Sequence, residues 1–131
     1  MAWRILADAV LVFHAAFITF ALLGGLTLLW RHWMAGPHLA AAAWGAFVVG
    51  TGRICPLTPL ENQLRLAAGE QGYGGGFIEH YVVNLIYPPG LTRPVQVLLA
   101  VALVALNLGI YGWVRWWRRR HTRRAGSVTV P

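Results

Sequence analysis

Residues 5–30 read ILADAVLVFHAAFITFALLGGLTLLW, a run of 26 residues interrupted only by Asp8 and His14 among titratable side chains. As a helix it reaches ~39 Å at ~1.5 Å per residue. That exceeds the ~30 Å hydrocarbon core of a bilayer, so it spans with tilt or protrudes. A secretory signal needs an apolar core of only ~7–15 residues and a small-residue cleavage site. This run is longer and ends in Trp30-Arg31-His32-Trp33, an interfacial anchor. Residues 5–30 are therefore read as a first spanning helix.

The rest of the chain has the same character. Hydrophobic residues make up 57% of the 131 and charged residues 11%. Soluble domains carry about 25% charged residues, so an ordinary soluble domain and a disordered chain are both excluded. Beyond Gly36-Pro37, residues 39–55 form a second apolar run, stopped by Cys55-Pro56. On it Ala42, Ala46 and Gly50 fall four apart, a small-residue stripe of the kind that lets membrane helices approach closely. Residues 95–117 form a last span ending in Trp113, Trp116 and Trp117. Asn107 inside it is expected to bond between helices.

Two segments lie between the second and the last span. After Pro56 the spacing predicts a short amphipathic helix on the membrane surface. Thr58 would be its N-cap, Glu61 the capping-box acid, and Leu60, Leu64 and Ala67 the apolar stripe opposite Glu61 and Arg65. The glycines from Gly69 to Gly76 predict a flexible stretch. Residues 77–87 are only ~16 Å of helix, too short to span unaided. They carry Glu79, His80 and Asn84 and can be interfacial, re-entrant or a short buried span. The fold class is thus an all-α integral-membrane bundle of three or four helices.

The formal charge of +7 resides mainly in one tail, because six of the eleven arginines lie between Arg115 and Arg124. The tail over 118–131, with Arg118, Arg119, Arg120, Arg123 and Arg124, is expected to be cytoplasmic, disordered and engaged with lipid headgroups. It is not expected to bind nucleic acid. With three spans, seven arginines lie inside and four outside; with four spans the count is nine to two. Charge favours four and the length of residues 77–87 opposes it. In either case the start of the first helix, the end of the second and the start of residues 77–87 share one side. Asp8, Arg53, Cys55, Glu61, Glu79 and His80 then form a polar cluster at one leaflet, with His14 below.

Each member has a modest reading. Asp8 within an apolar run calls for a partner such as Arg53. His14 bonds to a neighbouring helix or, paired with His80, ligates a b-type haem or borders a quinone pocket. Glu79, His80 and Arg53 are the groups a small membrane enzyme or transporter would use. His32 and His38, on the opposite loop, are expected at the headgroups. Cys55 is a small hydrophobe or a thiol site, and as the single cysteine it excludes an internal disulfide.

The strings Ile54-Cys55-Pro56-Leu57-Thr58-Pro59-Leu60-Glu61-Asn62 and Gly75-Gly76-Phe77-Ile78-Glu79-His80-Tyr81, with Leu64-Arg65, Ala68-Gly69 and Tyr87-Pro88, resemble a bacterial inner-membrane family. It is catalogued as a domain of unknown function, family 2784. Ala7-Asp8, His14, Gly24-Gly25, His38, Trp44, Asn107 and Tyr111 fit the same pattern. The resemblance implies a small helical membrane protein and no assigned activity. The function expected is a non-catalytic accessory, assembly or interaction subunit, bound to a larger membrane protein or to itself.

Overall fold

The computed structural model describes residues 1–74, 77–83 and 92–125. Helix α1 spans Ala2–Leu23 and tightens into a 3-10 segment, Gly24–Leu29. A second 3-10 turn, His32–Met34, leads into α2, Ala35–Thr51. Helix α3 covers Leu57–Ala67, a π-helical turn covers Glu79–Val83, and α4 covers Arg93–Ala125. The described residues contain no strand, so the chain is all-α.

The helix ends follow local chemistry. Helix α1 gives way to the 3-10 segment at Gly24 and Gly25, where nothing larger than glycine fits. A Cβ on Gly24 would lie 2.6 Å from both His38 Cδ2 and Phe20 Cδ2, and one on Gly25 2.8 Å from Ile110 Cγ2. Pro37 sits in the first turn of α2, where its missing N–H has no intrahelical partner to lose. Gly52, at φ +70°, caps α2 in the left-handed region and donates its N–H to Val48 and Val49. The second run therefore starts and stops four residues earlier than residues 39–55. Helix α4 runs past Trp117 to Ala125, so the arginine-rich stretch is helical that far; residues 126–131 lie outside the described residues.

The ends are arranged in two groups. Helix α3 packs along α1, near the N-terminal half, through Arg65 beside Asp8. The start of α4 meets the end of α2, where a Cβ on Gly52 would lie 2.9 Å from Gln96 Oε1. At the opposite end the Arg118 guanidinium donates to the Leu28 carbonyl. Thus α4 runs in the same direction as α1, and α2 runs against both. Residues 77–83 lie at the end where α4 begins, with Phe77 on His14; residues 84–87 of the ambiguous segment lie outside the described residues.

The interior is small and half polar. Its apolar members are Ala7, Ala21, Ala41, Val48 and Val114; its polar ones are His14, His38, Thr58, Glu61 and Asn107. The large apolar side chains point outward, among them Phe13, Val12, Leu98 and Leu108, the last 69% exposed. Two helical stretches, Ala2–Leu29 and Arg93–Arg123, are long and apolar enough to cross a membrane.

The small-residue stripe and Asn107 lie where α2 and α4 meet. A Cβ on Gly50 would stand 3.3 Å from the Ala100 Cβ. Ala42 and Ala46 floor an open groove of about 330 Å³ with Asn107 and Tyr111. The Asn107 amide donates to the Ala21 and Leu103 carbonyls, tying α4 to α1.

Candidate functional site

The site is built from α3 inward. Glu61 and Arg65 are four apart with the acid first, the favourable order on a helix. The polar face of α3 turns toward α1, and the opposite face, where Leu60 lies, points outward. Glu61 has no exposed surface and Thr58 is 1% exposed, while Leu60 and Leu66 face outward. The expected cap is corrected: Pro56 precedes α3, Thr58 makes no side-chain cap bond, and Glu61 is committed elsewhere. The physical reason is that α3 lies against α1, whose Arg4 and Asp8 offer charge.

The Glu61 carboxylate accepts from Arg65 Nε at 2.9 Å, from the Tyr73 hydroxyl at 2.7 Å and from the Tyr81 hydroxyl at 3.3 Å. A buried carboxylate is tolerable only when so satisfied. Arg65 also donates from Nη1 to Glu70 at 3.0 Å and stands 3.6 Å from Asp8. Glu70 receives Arg4 at 3.0 Å. The partner of Asp8 is therefore Arg65, not Arg53. The guanidinium of Arg53 instead lies over the Phe47 ring at 5.7 Å.

The described part of the loop after α3 makes side-chain contacts back to the helix; residues 75 and 76 of the glycine stretch lie outside the described residues. Gly69 turns the chain at φ +77°. The Asn62 side chain then grips Tyr73 twice, donating to its carbonyl at 2.8 Å and accepting its N–H at 3.1 Å. Neighbouring residues of α3 thus divide the work: Asn62 holds the Tyr73 backbone and Glu61 takes its hydroxyl. Burial first, then the hydrogen bond and negative charge of Glu61, push the Tyr73 phenol well above its ordinary value. Burial and Glu61 push Tyr81 the same way. The hydrogen bond to Glu61 leads the causes that hold Arg65 more firmly protonated than usual. All three shifts keep the uncharged phenols and the charged guanidinium around one anion.

A chain of aromatic contacts continues from this centre. Tyr73 stacks on His80 at 4.1 Å, His80 meets Tyr81 at 4.7 Å, Tyr81 meets Phe77 at 5.0 Å, and Phe77 covers His14 at 4.5 Å. Phe77 and Tyr81 thus stand in the chain of rings between His14 and His80. His14 is 3% exposed, and its Nδ1 has no hydrogen-bond partner among the described residues. Beside it opens a cavity of about 80 Å³, mostly apolar, between α1, α2, the first turn of α4 and residues 77–79. Arg53, Cys55 and Glu79 line it. The residues grouped at one leaflet therefore occupy one end but fall into two places: Asp8 and Glu61 in the network, and Arg53, Cys55 and Glu79 at the cavity.

At the other end, His38 corrects an expectation. It has no exposed surface, shares a 3.0 Å hydrogen bond between Nδ1 and the Tyr111 hydroxyl, and presents its ring to the edge of Phe20. It joins α1, α2 and α4 rather than meeting headgroups; His32 is exposed. Sequence reasoning missed Glu70, Tyr73 and Gln96 as site residues. A polar residue just past a helix, such as Glu70 after Gly69, was the available signal.

A family model described as a protein of unknown function (DUF2784) matches residues 4–112. No curated protein and no solved structure matches the chain.

Proposed function

We propose that the chain, which belongs to the DUF2784 family of proteins of unknown function, is a non-catalytic interaction subunit of the bacterial inner membrane that receives a helix of a larger membrane protein. The observation that carries the reading is the groove between α2 and α4. Its floor is Ala42, Ala43 and Ala46, and Asn107 lines it with a buried Oδ1 that lacks a partner among the described residues. Small residues let a further helix approach closely.

The membrane reading is supported by the outward large apolar side chains, since soluble monomers seldom expose contiguous apolar surface on this scale. Three passes, α1, α2 and α4, are supported by the start of α4 lying beside the end of α2. Residues 77–83 then stay at that end without crossing. Seven arginines fall at the end bearing Arg31 and Arg118, and all four acids fall at the other with four arginines. The positive-inside rule places the C-terminal end in the cytoplasm and the Glu61 network on the outer side.

The test is purification in mild detergent with sizing of the intact complex. The expected result is a co-purifying membrane protein that is lost in Ala43→Trp, which fills the groove from an exposed position. A larger particle containing this chain alone would replace the partner with a second copy. A monomer that loses nothing in Ala43→Trp overturns the proposal.

A further inference from the structure

We infer that the C-terminal end of α4 is a binding surface for anionic phospholipid, with Arg115, Arg119 and Arg123 holding the phosphate and the neighbouring tryptophans bordering the acyl chains. The inference rests on the membrane reading proposed above and is independent of the α2–α4 groove.

Charge is divided unequally between the two ends of the molecule. The four acids are Asp8, Glu61, Glu70 and Glu79, and the last of them precedes α4. Asp8, Glu61 and Glu70 meet Arg65, and Glu79 lines the cavity at the same end. Arg4, Arg53, Arg65 and Arg93 match those acids one for one in number. The formal charge of +7 therefore belongs to the other end, where Arg31 and the six arginines from Arg115 to Arg124 have no Asp or Glu to meet.

Helical order turns this excess into a pattern. Helix α4 continues without a break to Ala125. Arg115, Arg119 and Arg123 thus recur at steps of four residues, about 6 Å apart along the axis and within about 80° of arc. All three are exposed. Like charges at this spacing repel and weaken a helix. A row of anions laid along the stripe removes the repulsion. Two neighbouring arginines are engaged elsewhere: Arg118 donates to the Leu28 carbonyl, and the Arg120 guanidinium lies over the Trp116 ring at 3.9 Å.

The surroundings of the stripe select the anion. Trp113, Trp116 and Trp117, on the same turns, are each more than a third exposed. Exposed tryptophan at the end of an apolar helix marks headgroup level. Toward the start of α4, Val101, Val104 and Leu108 point outward and offer acyl chains an apolar surface. A guanidinium fork fits the two free oxygens of a phosphodiester. A zwitterionic lipid also brings an ammonium, which the arginines repel. A nucleic acid brings phosphates but leaves the aromatic and apolar surface beside the stripe unused.

The experiment uses the whole protein in an uncharged detergent, titrated with phosphatidylglycerol or with phosphatidylcholine of the same acyl chains. Bound lipid is counted by mass spectrometry of the intact complex. One arginine beside an anionic lipid surface is worth roughly fivefold in binding, so a preference of more than about tenfold for phosphatidylglycerol is expected. Arg115→Gln, Arg119→Gln and Arg123→Gln combined should weaken phosphatidylglycerol at least about tenfold and leave phosphatidylcholine unchanged. The charge-matched set Arg4→Gln, Arg53→Gln and Arg93→Gln, at the other end, should keep the preference. Salt at ~1 M, where the screening length is ~3 Å, should abolish it. Equal affinity of the unmodified protein for the two lipids overturns the proposal whether or not any variant folds. An equal loss in the charge-matched set does so as well, since net charge alone would then explain the binding. Displacement of the lipid by the same concentration of glycerol phosphate overturns it, because a headgroup without chains would suffice. Displacement by a short single-stranded oligonucleotide at equal phosphate concentration assigns the stripe to nucleic acid instead. A chain that stays in solution without detergent would overturn the membrane reading itself, an outcome distinct from all of these.

Discussion

Glu61 shows how one residue organises a region. Its carboxylate gathers Arg65, Tyr73 and Tyr81 from α3, the following loop and the π-helical turn. Removing one partner of a buried ion pair typically costs about 3–5 kcal/mol, because the other charge is left unsatisfied. Glu61→Ala is expected to destabilise by about that amount, while Glu61→Gln keeps the shape and one acceptor and should cost roughly half as much. Thermal unfolding in detergent, followed by helical circular dichroism, checks the order. Equal midpoints for Glu61→Ala and the unmodified protein would show that the network carries no stability. The Arg4–Glu70 pair is a different matter: Arg4 is largely exposed, and exposed pairs contribute little. From the sequence, Glu61 and Arg65 were legible as an i, i+4 pair. Which way they face was not, because the same periodicity fits a helix turned apolar side in or polar side in.

At the scale of elements, the turn from α1 into the 3-10 segment depends on two glycines. Gly24 admits the rings of His38 and Phe20, and Gly25 admits Ile110, so α1, α2 and α4 close on one another there. Overpacking a tight contact costs about 1–3 kcal/mol. Gly24→Ala and Gly25→Ala should each lower the unfolding midpoint by that measure. Gly109→Ala has open space within 4 Å of the new Cβ and should be neutral or slightly stabilising. If Gly24→Ala and Gly109→Ala behave alike, the close approach at Gly24 is not what holds the three helices. The tie between His38 and Tyr111 lies 73 residues apart in the chain, which is why a reading of each loop alone sent His38 to the surface.

The whole molecule is ordered by charge and direction. With three passes, Gln71 in the loop after α3 and Arg123 at the end of α4 lie on opposite sides of the membrane; with four they lie on the same side. In a background of Cys55→Ala, a membrane-impermeant thiol reagent added outside intact cells should label Gln71→Cys and not Arg123→Cys. Inverted vesicles should reverse the pattern. Labelling of both in inverted vesicles and of neither in intact cells would require an even number of passes between them and would move the Glu61 network to the cytoplasm.

The sequence by itself determined the helical class, the two long apolar stretches, the basic end and the family. These follow from composition, length and local backbone chemistry, which act on neighbours along the chain. Only the tertiary structure decided that α3 turns its charges inward and that Asp8 pairs with Arg65. It also decided that Asn62 pins Tyr73, and that His14 fronts a cavity while His38 is sealed in the core. Each of these depends on which helix faces which, and that is set by satisfying buried charges and filling space between residues far apart in sequence. Periodicity gives a helix its faces but not its neighbour.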